Sequence, residues 1–120
     1  MGAVQTGNFD DAERMEQYGD TGRAQVLNVG GKLVVRSILE PGWSWVEDIK
    51  PLVEGLENCP LHHHEYVVAG RIRYDTVEGD TIEAGPGTYL DIEPGHLASV
   101  VGDETCIVID FDEDWGEEGS

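Results

Sequence analysis

The sequence predicts an all-β domain built from antiparallel strands, and three observations support this prediction. From residue 23 onward, short segments of β-type composition are separated by turn residues such as Gly30-Gly31 and Pro41-Gly42. The chain contains 16 glycines in 120 residues, which suits tight turns and barrel corners. No helical pattern alternates with the strand segments, so a parallel sheet with crossover helices is not expected. A sandwich or a barrel is the architecture that fits these features.

Nine segments have this strand pattern. They are Arg23–Val29, Lys32–Leu39, Trp43–Ile49, His63–Ala69, Arg71–Val77, Thr81–Glu83, Tyr89–Ile92, Leu97–Val101 and Thr105–Phe111. The predicted domain organisation is an N-terminal arm over residues 1–22, a barrel over 23–111 and an acidic tail over 112–120. The arm is polar and lacks a sustained apolar period, so we expect it to be flexible, with a helical turn around Asp11 to Tyr18.

The charge balance excludes several classes of partner. The chain has 25 acidic and 7 basic side chains, a formal net charge of -18. Binding to nucleic acid requires a basic surface, and an anionic membrane surface would repel this chain as well. The sequence has no apolar run long enough to span a membrane and no signal-peptide pattern, which favours a cytoplasmic location.

The acidity also suggests adaptation to high salt, where dense carboxylates keep a protein soluble and their repulsion is screened. The acidic residues are spread along the chain, since residues 26–109 alone carry 14 acidic and 5 basic side chains. Lysine occurs only twice, at Lys32 and Lys50. We therefore predict a halophilic origin, the alternative being an ordinary acidic surface. Unfolding measured from molar to low salt tests this, because stability that does not change on dilution would exclude it.

The cysteines and histidines are the residues with ligand chemistry. Cys59 and Cys106 form no CxxC pair and are expected to be reduced, with Cys106 in the core because it lies in an apolar run. Three of the four histidines are consecutive, His62 to His64. Alternate side chains of a strand share a face, so either His62 and His64 or His63 alone point into the barrel. Exposed histidines at a strand edge need have no ligand role.

Two segments of the chain resemble the conserved motifs of the cupin superfamily. The sequence YVVAGRI at 66–72 is similar to the end of the first cupin motif, and GPGTYLDIEPGH at 85–96 is similar to the second. Between them, a hairpin turning at residues 78–80 has the length found in small cupins. Further similarity, from WSW at 43–45 through Cys59 to VVGDE at 100–104, extends to a small single-domain cupin subgroup of uncharacterised function. The resemblance implies a jelly-roll β-barrel and a homodimer.

The resemblance implies metal ligands, and their positions in this chain are found by aligning each cupin motif on its glycines. The first motif reads G-x5-H-x-H-x3-E-x6-G, and anchoring its last glycine on Gly70 places its Glu at His63 and its two His at Cys59 and Glu57. The second motif reads G-x5-P-x-G-x2-H-x3-N, and its histidine falls on Ala98. The motif's own residues are therefore replaced at every ligand position.

Two arrangements of the metal site follow from this comparison. In the first, Glu57, Cys59 and His63 line the barrel interior and bind a divalent ion, with His96 as a further ligand. In the second, a slip of the preceding loop makes His62 and His64 the ligand pair, with Glu65 facing away. The first is preferred because Gly70 and the strand after it fix the register. A barrel without a metal is the remaining alternative.

Other candidates concern the ligand pocket. Trp43 and Trp45 alternate in a predicted strand and would share a face, lining a pocket, the core or a dimer interface. Arg71 and Arg73 also share a face and would either anchor an anionic ligand or pair with neighbouring carboxylates.

These residues lead to two principal hypotheses about function. In one, the protein is a small-molecule metalloenzyme whose ion is Zn²⁺, Fe, Mn or Ni, with Zn²⁺ favoured by the Cys, His and Glu donors. In the other, the protein is a non-catalytic module that binds or senses a small ligand without a metal. A purely structural role in dimerisation is a third hypothesis.

Overall fold

The computed structural model describes residues 4–53, 56–60 and 62–111, which form nine antiparallel strands in two sheets. The strands are β1 Arg14–Gln17, β2 Gly22–Val29, β3 Lys32–Leu39, β4 His63–Ala69, β5 Ile72–Thr76, β6 Thr81–Ala84, β7 Tyr89–Ile92, β8 His96–Val100 and β9 Cys106–Asp110. The larger sheet has the order β1-β2-β3-β9-β4-β7, and the smaller has the order β6-β5-β8. No helix among the described residues is long and apolar enough to cross a membrane.

The main core lies between the two sheets. Val67 and Val108 from the larger sheet and Ile72 and Tyr74 from the smaller belong to one buried cluster. The strands β4, β5, β8 and β9 turn alternate side chains toward it, as on β9, where Cys106, Val108 and Asp110 are buried. The jelly-roll architecture predicted from the sequence is confirmed by these two facing antiparallel sheets.

Eight of the nine predicted strands are confirmed, each within one residue at either end. The exception is Trp43–Ile49, where the structure has a π-helical turn over Trp45–Ile49 followed by a 3-10 turn over Lys50–Leu52. The cause is local, because the Ser44 hydroxyl accepts a hydrogen bond from the Glu47 N–H at 3.2 Å and the Ser44 N–H donates to Asp48 Oδ2 at 3.0 Å. Such side-chain bonds to the backbone offer it an alternative to a strand ladder.

The predicted N-terminal arm is wrong for its middle part. Arg14–Gln17 form β1, which pairs with β2 from Arg14↔Val26 to Gln17↔Arg23, and the helical turn expected there is instead a 3-10 turn over Phe9–Asp11. Pairing at an edge needs only backbone partners, and the side chains of β1 alternate between half-buried and exposed. The four residues of β1 therefore lack the alternation of apolar and polar side chains by which a strand is recognised in a sequence. The predicted acidic tail over 112–120 lies outside the described residues.

Gly70 fixes the corner between β4 and β5. Its φ is +77°, and a Cβ atom there would lie 2.6 Å from the Cα of Cys106 and 2.6 Å from the carbonyl oxygen of Thr105. Glycine is therefore required both by conformation and by the close approach of β9. This corner sets the register of β4, in which His63, Glu65 and Val67 face the core and His64, Tyr66 and Val68 face outward.

Candidate metal centre and ligand cavity

A cavity of about 400 Å³ lies between the two sheets. Most of its wall is apolar, and β4, β5, β8 and β9 each contribute buried polar side chains to it. It is lined by Glu16, Gln17, Tyr18, Ser37, Leu39, Trp43, Trp45, Ile49, Leu52, Val53, Cys59, His63, Glu65, Ile72, Tyr74, His96, Ala98, Val108 and Asp110. A pocket of this size with a few convergent polar groups is typical of small-molecule sites.

Three buried side chains with metal-ligand chemistry converge in this cavity. One donor atom each from Cys59, His63 and His96 lies within 4.8 Å of the other two. The backbone of Cys59 pairs directly with that of His96, since the Cys59 N–H donates to the His96 carbonyl at 2.9 Å and the Gly95 N–H donates to the Cys59 carbonyl at 2.7 Å. His63 follows at the start of β4. The positions of all three are thus set by backbone pairing.

The second ring nitrogen of each histidine is already engaged. His96 Nδ1 lies 2.8 Å from the carbonyl oxygen of Glu93, and because a carbonyl only accepts, Nδ1 donates this hydrogen bond and Nε2 is the nitrogen left to act as a ligand. His63 Nδ1 donates to Asp110 Oδ2 at 2.7 Å, which leaves Nε2 toward Cys59. Carboxylates and carbonyls that hold the far nitrogen of a histidine are the usual outer partners of metal ligands.

The separation of the sulfur and nitrogen donors fits a metal ion. Cys59 Sγ lies 3.5 Å from His63 Nε2. With zinc-to-sulfur and zinc-to-nitrogen bonds of ordinary length and a tetrahedral angle, these two atoms would be about 3.6 Å apart. The same distance also fits a hydrogen bond that involves sulfur, so the geometry accommodates both states of the site.

A buried network of charged and polar groups adjoins the three candidate ligands. Burial lowers the pKa of His63, but hydrogen bonds to Asp110 and Cys59 and the nearby carboxylates outweigh it and raise the pKa to about 11. Burial raises the pKa of Glu65 above its ordinary value, although the charge of His63 opposes this. The hydroxyl of Tyr74 donates a short hydrogen bond to Glu65 Oε1, while Glu65 Oε2 is 3.8 Å from His63 Nδ1.

The candidates from the sequence divide between this site and other places. Cys59, His63 and His96 come together, whereas Glu57 does not line the cavity. Its carboxylate is largely exposed and pairs with Lys50 Nζ at 3.2 Å. The prediction that Glu57 faces the interior is wrong because Glu57 precedes Cys59 in a segment that is not a strand, so the motif spacing does not apply there.

The alternative ligand pair, His62 and His64, lies outside the cavity. Both side chains are over a third exposed, and both are within 4 Å of Asp91, on the neighbouring strand β7. The second arrangement considered from the sequence, with this pair inside the barrel and Glu65 facing away, is therefore wrong. The structure has the opposite orientation, because the register set at Gly70 turns His63 and Glu65 inward.

The pocket candidates also separate. Trp43 and Trp45 are both 5% exposed and line the cavity, although no strand carries them. Arg71 and Arg73 are exposed and do not line it; they pair with Glu83 at 3.2 Å and with Asp75 at 3.1 Å. Their use as anchors for a ligand in the cavity is wrong, and pairing with neighbouring carboxylates, the other expectation, is what the structure has.

The site also contains Glu65, Tyr74 and Asp110, three buried ionisable residues that were not among the sequence candidates. Glu65 has a signal in the sequence, because a residue two positions after an inward His63 must also face inward. Asp110 ends an otherwise apolar segment, and only the pairing of β9 with β4 brings it to His63. Tyr74 reaches Glu65 across the core from the other sheet, which no local pattern reports.

Comparisons of the sequence with protein-family models and with curated proteins gave no match. Solved structures are similar in fold. An oxalate decarboxylase from Lactobacillus farciminis, in a formate complex, matches with a TM-score of 0.64 and 18% identity, over 98% of this chain and 36% of that one. A polyketide cyclase from Streptomyces resistomycificus matches with a TM-score of 0.63 and 17% identity, over 89% of this chain and 77% of the cyclase.

An RmlC-like cupin from Shewanella frigidimarina matches with a TM-score of 0.59 and 19% identity, over 88% of this chain and 89% of that one. The chain spans nearly all of this protein but about a third of the oxalate decarboxylase. At such identities the likeness concerns the fold. The chain has the fold of the cupins.

Proposed function

We propose that the protein is a small-molecule metalloenzyme that binds a divalent ion through Cys59, His63 and His96. The observation that supports this most is the convergence of three buried donors at the polar end of an otherwise apolar cavity. The far nitrogen of each histidine is held by another group, as in a site prepared for a metal.

The donor set favours zinc. One thiolate and two imidazoles are soft to borderline ligands, which suit Zn²⁺ better than Mg²⁺ or Mn²⁺. Three protein ligands would leave one position of a four-coordinate ion for water or substrate, and zinc sites with three protein ligands are typically catalytic rather than structural. When bound, such an ion supplies Lewis acidity to a substrate oxygen or to a water molecule.

The chain's own residues would bind the substrate and move a proton. Trp43 and Trp45 form apolar walls that hold the body of a small molecule and exclude water. Glu65 is the proton carrier in this proposal, because burial raises its pKa and Tyr74 holds its Oε1, which leaves Oε2 to take or give a proton. Asp110 keeps the ring of His63 in one orientation.

A second function, ligand binding without a metal, is favoured by a different observation. The buried groups satisfy one another in the absence of any ion, since protonated His63 pairs with Asp110 and Tyr74 donates to Glu65. Metal binding at His63 Nε2 must displace a proton from this pair, so it is favoured at higher pH. A cavity that never binds a metal would retain the pair and act as a simple receptor.

Metal analysis distinguishes the two functions. The protein is purified without a histidine tag or a nickel column and analysed for bound metals, beside His63→Ala, Cys59→Ser and His96→Ala. We expect stoichiometric zinc in the wild type that is lost in all three variants. The matched control is the double variant His62→Ala/His64→Ala, which removes two imidazoles outside the cavity and is expected to keep this ion.

A metal-free wild type that takes up no zinc on addition would overturn the enzyme proposal. Thermal unfolding with a panel of small molecules then tests the receptor, since a ligand specific to the native state raises the midpoint of unfolding. In that case the double variant His62→Ala/His64→Ala, whose side chains lie outside the cavity, is expected to leave the ligand-induced shift unchanged.

A further inference from the structure

A second cluster of ligand-type side chains lies on the outer face of the larger sheet. His62 immediately precedes β4 and His64 is its second residue, so the two are on the same side of the chain, opposite to His63. Their rings are stacked, with centroids 4.9 Å apart and planes at 25°. Asp91 on β7 is the direct cross-strand partner of His64.

The carboxylate of Asp91 faces both rings. Its Oδ1 is 2.5 Å from His62 Nε2, and its Oδ2 is 3.7 Å from His64 Nε2. One donor atom from each of the three residues lies within 4.8 Å of the other two. The strand ladder fixes His64 opposite Asp91, so the arrangement does not depend on a loop alone.

The distances between these donor atoms suit a metal ion after a small rotation of the side chains. Donors around a tetrahedral ion with bonds to nitrogen and oxygen of ordinary length are about 3.3 Å apart. The two distances from the imidazoles to the carboxylate, 2.5 and 3.7 Å, lie on either side of that value, and the side chains of His62, His64 and Asp91 are 36%, 40% and 59% exposed, so solvent reaches all three. Water can complete the coordination shell.

We propose that His62, His64 and Asp91 form a surface site for a borderline divalent transition ion, Cu²⁺, Ni²⁺ or Zn²⁺. Two imidazoles and a carboxylate favour these ions over Mg²⁺ and Ca²⁺, which take oxygen ligands. Among them Cu²⁺ binds most tightly by the usual order of affinities. This site is separate from the cavity, and its occupancy does not require the proposed enzyme function.

Electrostatics favour the ion over the pair that it would replace. The exposed contact between His62 and Asp91 stabilises the fold little, so little is lost when a metal takes its place. The chain carries a net charge of -18, which raises the local concentration of cations at its surface.

Calorimetric titration with CuCl₂ and with ZnCl₂ tests the proposal on the full chain without a histidine tag. The background is His63→Ala, which removes a ligand of the cavity site and leaves His62 and His64 in place. We expect one ion per chain in this background and its loss in the triple variant His62→Ala/His63→Ala/His64→Ala. Asp91→Asn is expected to weaken binding, because it replaces a charged carboxylate ligand with a neutral amide. Asp80→Asn removes the same charge from the hairpin of the other sheet and is the control.

Electron paramagnetic resonance of bound Cu²⁺ supplies a second readout. We expect coupling to two imidazole nitrogens in His63→Ala, and to one in the variants that also lack His62 or His64. Equal stoichiometry and affinity with and without His62 and His64, or a copper spectrum without nitrogen coupling, would overturn the surface site. The outcome for the cavity site is read independently, from the metal that the wild type retains on purification.

Discussion

The two faces of β4 carry the same kinds of side chains in opposite environments. Inside, His63 pairs with Asp110, and their side chains are 10% and 3% exposed. Outside, His62 pairs with Asp91, and theirs are 36% and 59% exposed. Neighbouring residues in the sequence thus form one histidine–carboxylate pair in a cavity and another in water. The chemistry of a histidine on β4 therefore depends on the face that the side chain occupies rather than on its place in the motif.

The environment also decides what each pair contributes to stability. Charges in water are already solvated, so an exposed pair gains about 0–1 kcal/mol. A buried pair has lost its solvation, and removal of one partner leaves an uncompensated charge that costs about 3–5 kcal/mol. The inner pair should therefore be sensitive to substitution and the outer pair tolerant of it.

The largest expected effect is the loss of one member of the inner pair. In protein kept metal-free with a chelator, Asp110→Ala or His63→Ala should lower the free energy of unfolding by about 3–5 kcal/mol. The matched outer variants, Asp91→Ala and His62→Ala, should lower it by less than about 1 kcal/mol. Urea unfolding measures both. Equal losses for the inner and outer variants would contradict the comparison.

A smaller effect is expected for the hydroxyl group that supports Glu65. Tyr74→Phe removes the hydrogen bond to Glu65 Oε1 and leaves a buried carboxyl oxygen without that donor, at a cost of about 1–3 kcal/mol. Tyr66→Phe is the control, because Tyr66 lies on the outer face of β4 and is 40% exposed. Urea unfolding of both variants gives the difference, and a Tyr74→Phe variant as stable as Tyr66→Phe would argue against a role for this bond.

Much of the fold could be predicted from the sequence because it is encoded locally. Alternating apolar residues between glycine and proline turns predict eight strands, and Gly70 predicts the register that turns His63 inward. The strand β1 could not be predicted, since an edge strand is held by backbone bonds that leave no apolar pattern. The turn after Ser44 was missed for a related reason, because side-chain bonds to the backbone replace the strand there.

Residues of the candidate site could be predicted only where they lie on the same face of a strand as a motif position. His96 lies two residues before Ala98, the motif position, and on the same face of β8, so it reaches the cavity. Glu57 lies outside any strand, and motif spacing misplaces it. Asp110 and Tyr74 are brought to the site by pairing and by packing between sheets. Those contacts join residues far apart in the chain, which a single sequence does not report.

The rates at which the two cysteines react with an alkylating reagent should also differ between the cavity and the core. Cys59 lines the cavity, whereas Cys106 is fully buried in the core, where burial and the nearby Glu65 raise the pKa of its thiol to about 12. Because the thiolate is the reactive form, iodoacetamide at pH 8 should modify Cys59 at least about tenfold faster than Cys106. Mass spectrometry of Cys59→Ser and Cys106→Ser resolves the two rates, and zinc should slow only the reaction of Cys59. Equal rates would mean that the cavity does not admit the reagent.

The smallest expected effect concerns an exposed carboxylate with several partners. Hydrogen bonds from Arg73 and Thr81 hold the pKa of Asp75 below its ordinary value. The stability that this carboxylate contributes is therefore present above its unfolded pKa and is lost as the pH falls through the lower folded pKa. Asp75→Asn should flatten the acid side of the stability profile, and at neutral pH it should cost less than about 1 kcal/mol because solvent screens the pair. Urea unfolding at a series of pH values, beside Asp80→Asn, measures this. A loss at neutral pH as large as that of Asp110→Ala would mean that burial is not what makes the inner pair sensitive to substitution.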